Sequence, residues 1–308
     1  MVKTRRPVAV AIGVIAAVLP ATSVFAAPTA TSNVVYNSLA PAQGNIPSLG
    51  GQAYQFGQIG NEVTATRAAK LASVVVTLST WGCQSGGWST ADCHTTPGAK
   101  FTEPITLNFY QAPATDPATQ PDIPGSGLPG SLIASVTKTF SIPYRPSMNA
   151  TKCSGSSPYD GLGAWFDTAN ETCFAGMMTN ITFSLSSLNI SLPKTFVYGI
   201  AYNTTSYGAD PYGTGTACFS TPQGCGYDSL NVGLSNDPAN LNKGTDPYPG
   251  TLWWDTQTAG YYCDEGVAGT GTFRFDSPST TPCWGSGFGG SDSAPWYVPA
   301  VEFVAKAS

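Results

Sequence analysis

The sequence predicts an all-β protein: an antiparallel β-sandwich or jelly-roll-like fold of about eleven strands, with long disulfide-stapled loops. Three observations carry this. Short runs rich in apolar and β-branched residues recur along the chain, several alternating with period two. Glycine (34) and proline (25) punctuate the runs. Apolar residues nowhere keep a three-and-four spacing for long, so helical crossovers are missing and the sheets should be antiparallel.

The elements follow in chain order. "VVYNSL" (34–39) and "AYQFG" (53–57) open the series. "NEVTATRAAKLAS" (61–73) reads equally as two helical turns or as a strand plus a turn. "ASVVVTLSTW" (72–81) has the continuous apolar centre of a strand buried on both faces. "ITLNFYQ" (105–111) alternates Ile105, Leu107 and Phe109 against Thr106, Asn108 and Tyr110. "SLIASVTKTFSI" (131–142), "ITFSLSSLNISL" (181–192) and "TFVYGIAYNT" (195–204) are further runs of strand formers. "DSLNVGLS" (228–235), "GTLWWDT" (250–256), "GTFRFDS" (271–277) and "WYVPAVEFVAK" (296–306) complete the set. Two segments read as long loops. The proline-rich stretch 111–130 is expected to be a hairpin excursion rather than a linker, and 142–174 is expected to be held compact by its two cysteines.

The first 26 residues have the layout of a secretory signal peptide. Lys3, Arg5 and Arg6 precede an apolar run from Val8 to Leu19, too short to span a membrane comfortably. Val24 and Ala26 occupy the −3 and −1 positions of a cleavage site before Ala27. Residues 27–308 are then expected to form a single domain. Cleavage leaves ten basic residues against eighteen acidic ones. An acidic surface argues against nucleic acid or anionic lipid as a partner, and no later run is long enough for a transmembrane helix. The expected location is extracellular, with loose association with the cell envelope left open.

Export places the eight cysteines in an oxidising compartment. They fall into four separated couples, so neighbour pairing is the economical expectation: Cys83–Cys93, Cys153–Cys173, Cys218–Cys225 and Cys263–Cys283. In the chain-entropy model each loop closure contributes about 2–3 kcal/mol. None of the couples has the short C-x2-C spacing of a zinc site, and His94 is the only histidine. A Cys–His nucleophile at Cys93 and His94 is disfavoured, because sequence neighbours on extended backbone diverge and a disulfide consumes the thiol.

Catalytic signals are weak. A Ser-His-Asp triad would have to use His94, and no G-x-S-x-G elbow occurs. Paired carboxylates stay open through Glu62, Glu103, Glu171, Glu265 and Glu302, with Asp264–Glu265 the most suggestive pair. No cofactor is expected; a structural calcium is the one ion the Asp-rich loops leave open. Aromatics give the clearest binding signal. Tyr202, Tyr207 and Tyr212 recur every five residues, and Trp253, Trp254, Tyr261 and Tyr262 cluster in "LWWDTQTAGYYC". Exposed rings beside Asp and Asn suit sugar faces; the competing reading is ordinary core and loop packing. Five N-x-S/T triplets occur, at Asn149, Asn170, Asn180, Asn189 and Asn203; they would carry glycans in a eukaryotic source, and a Ser/Thr-rich composition also generates such triplets by chance.

The motifs "STWGCQSGGW", "IPYRPS", "TNITFSLSSLNISLPKTFVYGIAYNTTSYG", "GYDSLNVGLS" and "AGYYCDEGVAGTGTFRFDS" together resemble an uncharacterised family of secreted bacterial surface proteins, taken to be β-sandwiches. The resemblance implies export and that fold. It brings no assigned activity and no catalytic residue. The resulting expectation is a secreted, non-catalytic protein with a binding or cell-surface role, an extracellular glycan or envelope component being its partner. The alternatives are a polysaccharide-acting hydrolase with paired carboxylates and a structural envelope component.

Overall fold

The computed structural model describes residues 33–51, 56–87, 91–112, 129–154, 163–202, 230–237, 241–247, 252–256, 273–276 and 296–307. The segment 1–26 lies outside them. Every element assigned here is a strand, and every strand pairing is antiparallel. In chain order they are β1 (Val34–Asn37), β2 (Ser48–Leu49), β3 (Phe56–Thr64), β4 (Ala69–Thr80), β5 (Lys100–Gln111), β6 (Leu132–Pro143), β7 (Trp165–Asp167), β8 (Thr172–Phe174), β9 (Met177–Ser184), β10 (Ser191–Leu192), β11 (Thr195–Ala201), β12 (Leu230–Asp237), β13 (Leu252–Thr256), β14 (Phe273–Asp276), β15 (Trp296–Pro299) and β16 (Val301–Ala305). These sixteen exceed the expected eleven because bridges of two or three residues carry no pattern and because two long runs break.

One sheet runs β1-β16-β4-β12-β15, with β9 and β10 on β4 and β2 on β12. The other runs β14-β13-β3-β11-β5-β6, and β7 and β8 form a small ribbon. The ambiguous stretch 61–73 is a strand, a turn and a strand. It leaves β3 in the second sheet and enters β4 in the first, so a short connection carries the chain from sheet to sheet.

β4 is the spine of the first sheet. Val74, Val76 and Leu78 are fully buried on one row, and Thr77 and Ser79 are fully buried on the other. The second row is covered by the segment after β1, where the Ser79 hydroxyl donates to Asn45 Oδ1 at 2.5 Å. Along one edge β4 changes partner from β16 to β12. The change occurs where Thr77 N donates to Ala300 O and Ala300 N donates to Gly233 O. A Cβ on Gly233 would lie 2.7 Å from Ile46 and 2.9 Å from the Thr77 methyl, so glycine permits the three backbones to meet. The single run expected over 296–306 is therefore two strands, broken at Pro299 and Ala300 where the partner changes. The run 181–192 also divides: a turn with Asn189 at φ 52° separates β9 from β10.

The two sheets share one apolar core. Phe303 of β16 meets Phe196 of β11 at 5.2 Å between centroids, Tyr198 of β11 at 5.3 Å and Phe109 of β5 at 6.2 Å, and Tyr36 of its own sheet at 5.9 Å. These are edge-on or tilted contacts, the arrangement ring quadrupoles favour. Phe140 of β6 and Phe183 of β9 make a second link at 4.8 Å. β5 and β6 pair from Lys100–Pro143 to Tyr110–Leu132, so the proline-rich stretch between them is a hairpin excursion as expected. Residues 113–128 are outside the described set. Among the described residues no strand pairs with the outer edge of β6. Lys138 shares a row with Val136 and Phe140 and donates to Ser184 O at 2.6 Å, placing an inward charge on an edge strand. Such a charge discourages edge-to-edge association.

Two predictions follow from this packing. Phe303→Ala empties the ring junction between the sheets and is expected to lower stability by about 3–5 kcal/mol in equilibrium denaturation. The second concerns Glu302, whose Oε2 accepts from Asn37 Nδ2 at 2.7 Å. Burial raises its carboxyl above the usual range. The folded chain thus holds that proton more tightly than the unfolded chain, and the stabilisation is lost as pH rises past the usual glutamate value of about 4.3 and through the raised one. Glu302→Gln keeps an acceptor for Asn37. It is expected to raise the melting temperature at pH 7 relative to the native protein, with no such gain at pH 3.5.

Candidate functional site

Two disulfides form as neighbour pairs, Cys83–Cys93 with Cα atoms 5.4 Å apart and Cys153–Cys173 with Cα atoms 5.7 Å apart. Cys218, Cys225, Cys263 and Cys283 lie outside the described residues. The first bridge closes a narrow ribbon in which Ser85 N donates to His94 O at 3.0 Å and His94 N returns a bond to Ser85 O at 2.9 Å. His94 is an exposed rung of that ribbon, and Cys93 beside it is buried and oxidised. The second bridge ties Cys173 on β8 to the loop that follows β6.

Residues 144–149, which contain most of "IPYRPS", thread between these two stapled loops. Arg145 N donates to Gly82 O, Met148 N to Cys93 O and Asn149 N to Ala164 O, while Cys153 N donates back to Asn149 O. Thr95 N donates to the Ser147 hydroxyl at 2.8 Å, and that hydroxyl donates to Thr95 O at 3.1 Å. The thread is thereby fastened to both stapled loops.

A partly open cleft of about 550 Å³ lies along it. Tyr144, Met148 and Asn149 come from the thread, Trp165 and Phe166 from β7, and Met177 from the start of β9. Thr95, Pro97, Ala99, Pro143 and Pro146 complete the walls. Trp165 is fixed by its indole N–H, which donates to Gly176 O at 2.7 Å, and by Phe174 at 5.8 Å. Tyr144 rests on Phe101 at 5.0 Å. Lys152 Nζ sits 4.2 Å above the Phe166 ring, a cation–π contact at the rim.

Arg145 lies behind this wall, fully buried. Its Nη2 donates to Gly163 O, while Nε and Nη1 have no partner among the described residues. Burial pulls its pKa down to about 10, so the guanidinium is still charged at neutral pH. A buried charge with no counter-charge among the described residues is costly, and an apolar side chain of similar volume removes that desolvation penalty.

Sequence reasoning chose other residues for binding. Tyr202 is only 7% exposed, belongs to the shared core, and its hydroxyl donates to Leu230 O at 2.8 Å. Little of its ring is therefore exposed, and it packs with the shared core rather than standing out from a loop surface. Trp253 and Trp254 lie on β13 opposite Gly60 and Ile59; their side chains, and Tyr207, Tyr212, Tyr261 and Tyr262 entirely, are outside the described set. The cleft aromatics Tyr144, Trp165 and Phe166 were passed over as loop. The available signal was a Pro-Tyr-Arg-Pro turn directly after a strand, next to a Trp-Phe pair inside a cysteine couple.

The carboxylates are dispersed. Val197 pairs with both Glu62 and Tyr110, and Tyr198 with both Asn61 and Phe109. Glu103 has the parity of Phe109, so the buried Glu62 and Glu103 occupy opposite faces of their sheet. Glu171 is exposed at a β7–β8 turn, Glu302 belongs to the other sheet, and Asp264 and Glu265 are outside the described residues. Among the described residues no group of three or more His, Cys, Asp or Glu is placed to hold a metal ion. No described helix is long and apolar enough to cross a membrane.

Comparison with known protein families, with curated proteins and with solved structures finds no match for this chain.

Charge and volume at Arg145 can be separated. Arg145→Met is expected to leave stability at pH 7 unchanged or to raise it by up to about 2 kcal/mol. Arg145→Ala leaves a cavity and is expected to cost about 2–4 kcal/mol; urea denaturation of both variants distinguishes the two contributions.

Proposed function

We propose that this is a secreted, non-catalytic binding protein, a β-sandwich of jelly-roll-like character that works outside the cell and takes its ligand in the cleft between the two stapled loops. The observation that carries this reading is the cleft itself. Its walls come from four separate stretches of chain, held in place by two covalent cross-links and the hydrogen bonds between them. Preorganisation of that kind reduces the ordering cost of binding. Disulfides and the absence of a described transmembrane helix are compatible with an extracellular location. The signal-peptide layout of residues 1–26 and the resemblance to secreted bacterial surface proteins support export, with an envelope component or extracellular glycan as the partner class. A paired-carboxylate hydrolase receives no support from Glu62 and Glu103, which face opposite sides of one sheet.

The test is a thermal-shift screen of the native protein against extracellular metabolites and envelope glycans, alongside Met148→Asp. A ligand at a hundredfold excess over its Kd adds about 2.7 kcal/mol of stability. The expected result is a component that raises the native melting temperature and not that of Met148→Asp. Equal shifts in both proteins, or release of reducing ends from a polysaccharide, overturn the reading.

A further inference from the structure

We infer that the cleft selects an uncharged, mainly apolar small ligand whose hydrogen-bond acceptors meet Asn149; this rests on the cleft being the binding site proposed above. None of the thirteen described lining residues is Asp, Glu, Lys, Arg or His. A charged ligand entering it would surrender hydration without gaining a counter-charge in the described lining, and Lys152 at the rim is already held over the Phe166 ring. The volume of about 550 Å³ falls among pockets that take small organic molecules, on the order of 300–1,000 Å³. Met148 and Met177 bring flexible, polarizable thioethers that adapt to an apolar or aromatic surface.

The polar groups narrow the class further. The Thr95 hydroxyl accepts from Gln84 N at 3.3 Å, and the Ser147 hydroxyl is engaged with the Thr95 backbone on both sides. Asn149 differs. Its Oδ1 accepts from Lys152 N at 3.0 Å, which fixes which end of the amide is oxygen. Its Nδ2 has no hydrogen-bond partner among the described residues. The two N–H groups of that amide, beside an apolar wall, recognise a ligand that carries acceptors.

The same inventory disfavours a sugar. Sugar recognition uses exposed ring faces and several amides or carboxylates. Tyr144 and Trp165 are 6% and 7% exposed, and the indole N–H is already committed to Gly176 O. The rings bound the cleft while offering little face for stacking.

The experiment uses three defined probes with the native full chain: Nile red, which is planar, uncharged and carries a carbonyl; 1-anilinonaphthalene-8-sulfonate, an anionic dye; and chitohexaose. Saturable Nile red emission is expected, weakened at least tenfold in Met177→Asp and in Met148→Asp, and about fivefold in Asn149→Ala. Near-UV circular dichroism matching the native spectrum qualifies each variant as folded. The two aspartate variants sit on different walls, so either alone carries the test. If chitohexaose or the anionic dye binds in a manner the aspartate variants abolish, and Nile red does not, the ligand class is wrong while the cleft stands as a binding site. If no probe distinguishes the native protein from a folded aspartate variant, the inference falls, and only the wider screen then bears on the binding reading.

Discussion

The contact on which the structure depends is the meeting of two sheets around Phe303. One ring from β16 touches Phe196, Tyr198 and Phe109 of the facing sheet, and Tyr36 beside it closes the cluster. The Tyr198 hydroxyl reaches across to Pro299 O at 3.3 Å, adding a polar bond to the apolar junction. Burial of these side chains supplies the main force for folding, as it does in any layered β protein. It also makes the core directional. The sheets carry it as far as Thr80, Lys100 and Pro143, beyond which the described chain runs in loops and a two-stranded ribbon.

At that end the chain meets a different problem. Residues 81–99 and 144–174 are rich in glycine and polar side chains and have little apolar surface to bury. Covalent bridges take over the ordering role there. Cys83, Cys93, Cys153 and Cys173 are all buried, so each bridge also serves as a small apolar nucleus for its loop. The backbone bonds from Met148 to Cys93 and from Cys153 to Asn149 link the bridges to a single thread. The cleft follows from this division of labour, because stapled loops keep their shape without filling the space between them.

The low charge of the chain bears on both regions. Among the described residues the buried ionisable groups are Glu62, Glu103, Arg145 and Asp246. Glu62 and Glu103 are separated by a sheet, and Arg145 lies behind the cleft wall. The described lining carries no charged side chain, and its side-chain polarity comes mainly from the Asn149 amide and the hydroxyls of Thr95, Tyr144 and Ser147. A neutral lining of this kind favours shape and apolar contact over electrostatic steering.

Composition and periodicity determined the all-β class and the positions of the long strands. They also determined that 111–130 leaves and re-enters one hairpin, and that Cys83 and Cys153 each bond the next cysteine along. These features are local: period-two burial, turn chemistry and short loop closures act within about twenty residues. Tertiary structure alone decided the rest. The run 296–306 breaks because β4 exchanges one partner for another at Gly233, a contact between residues far apart in the chain. Tyr202 looked like a surface ring beside its tyrosine neighbours, yet its hydroxyl meets Leu230 inside the core. Tyr144, Asn149, Trp165 and Met177 share one cleft with Thr95 and Pro97 because four segments converge there, and no pattern in a single segment encodes where the others will lie.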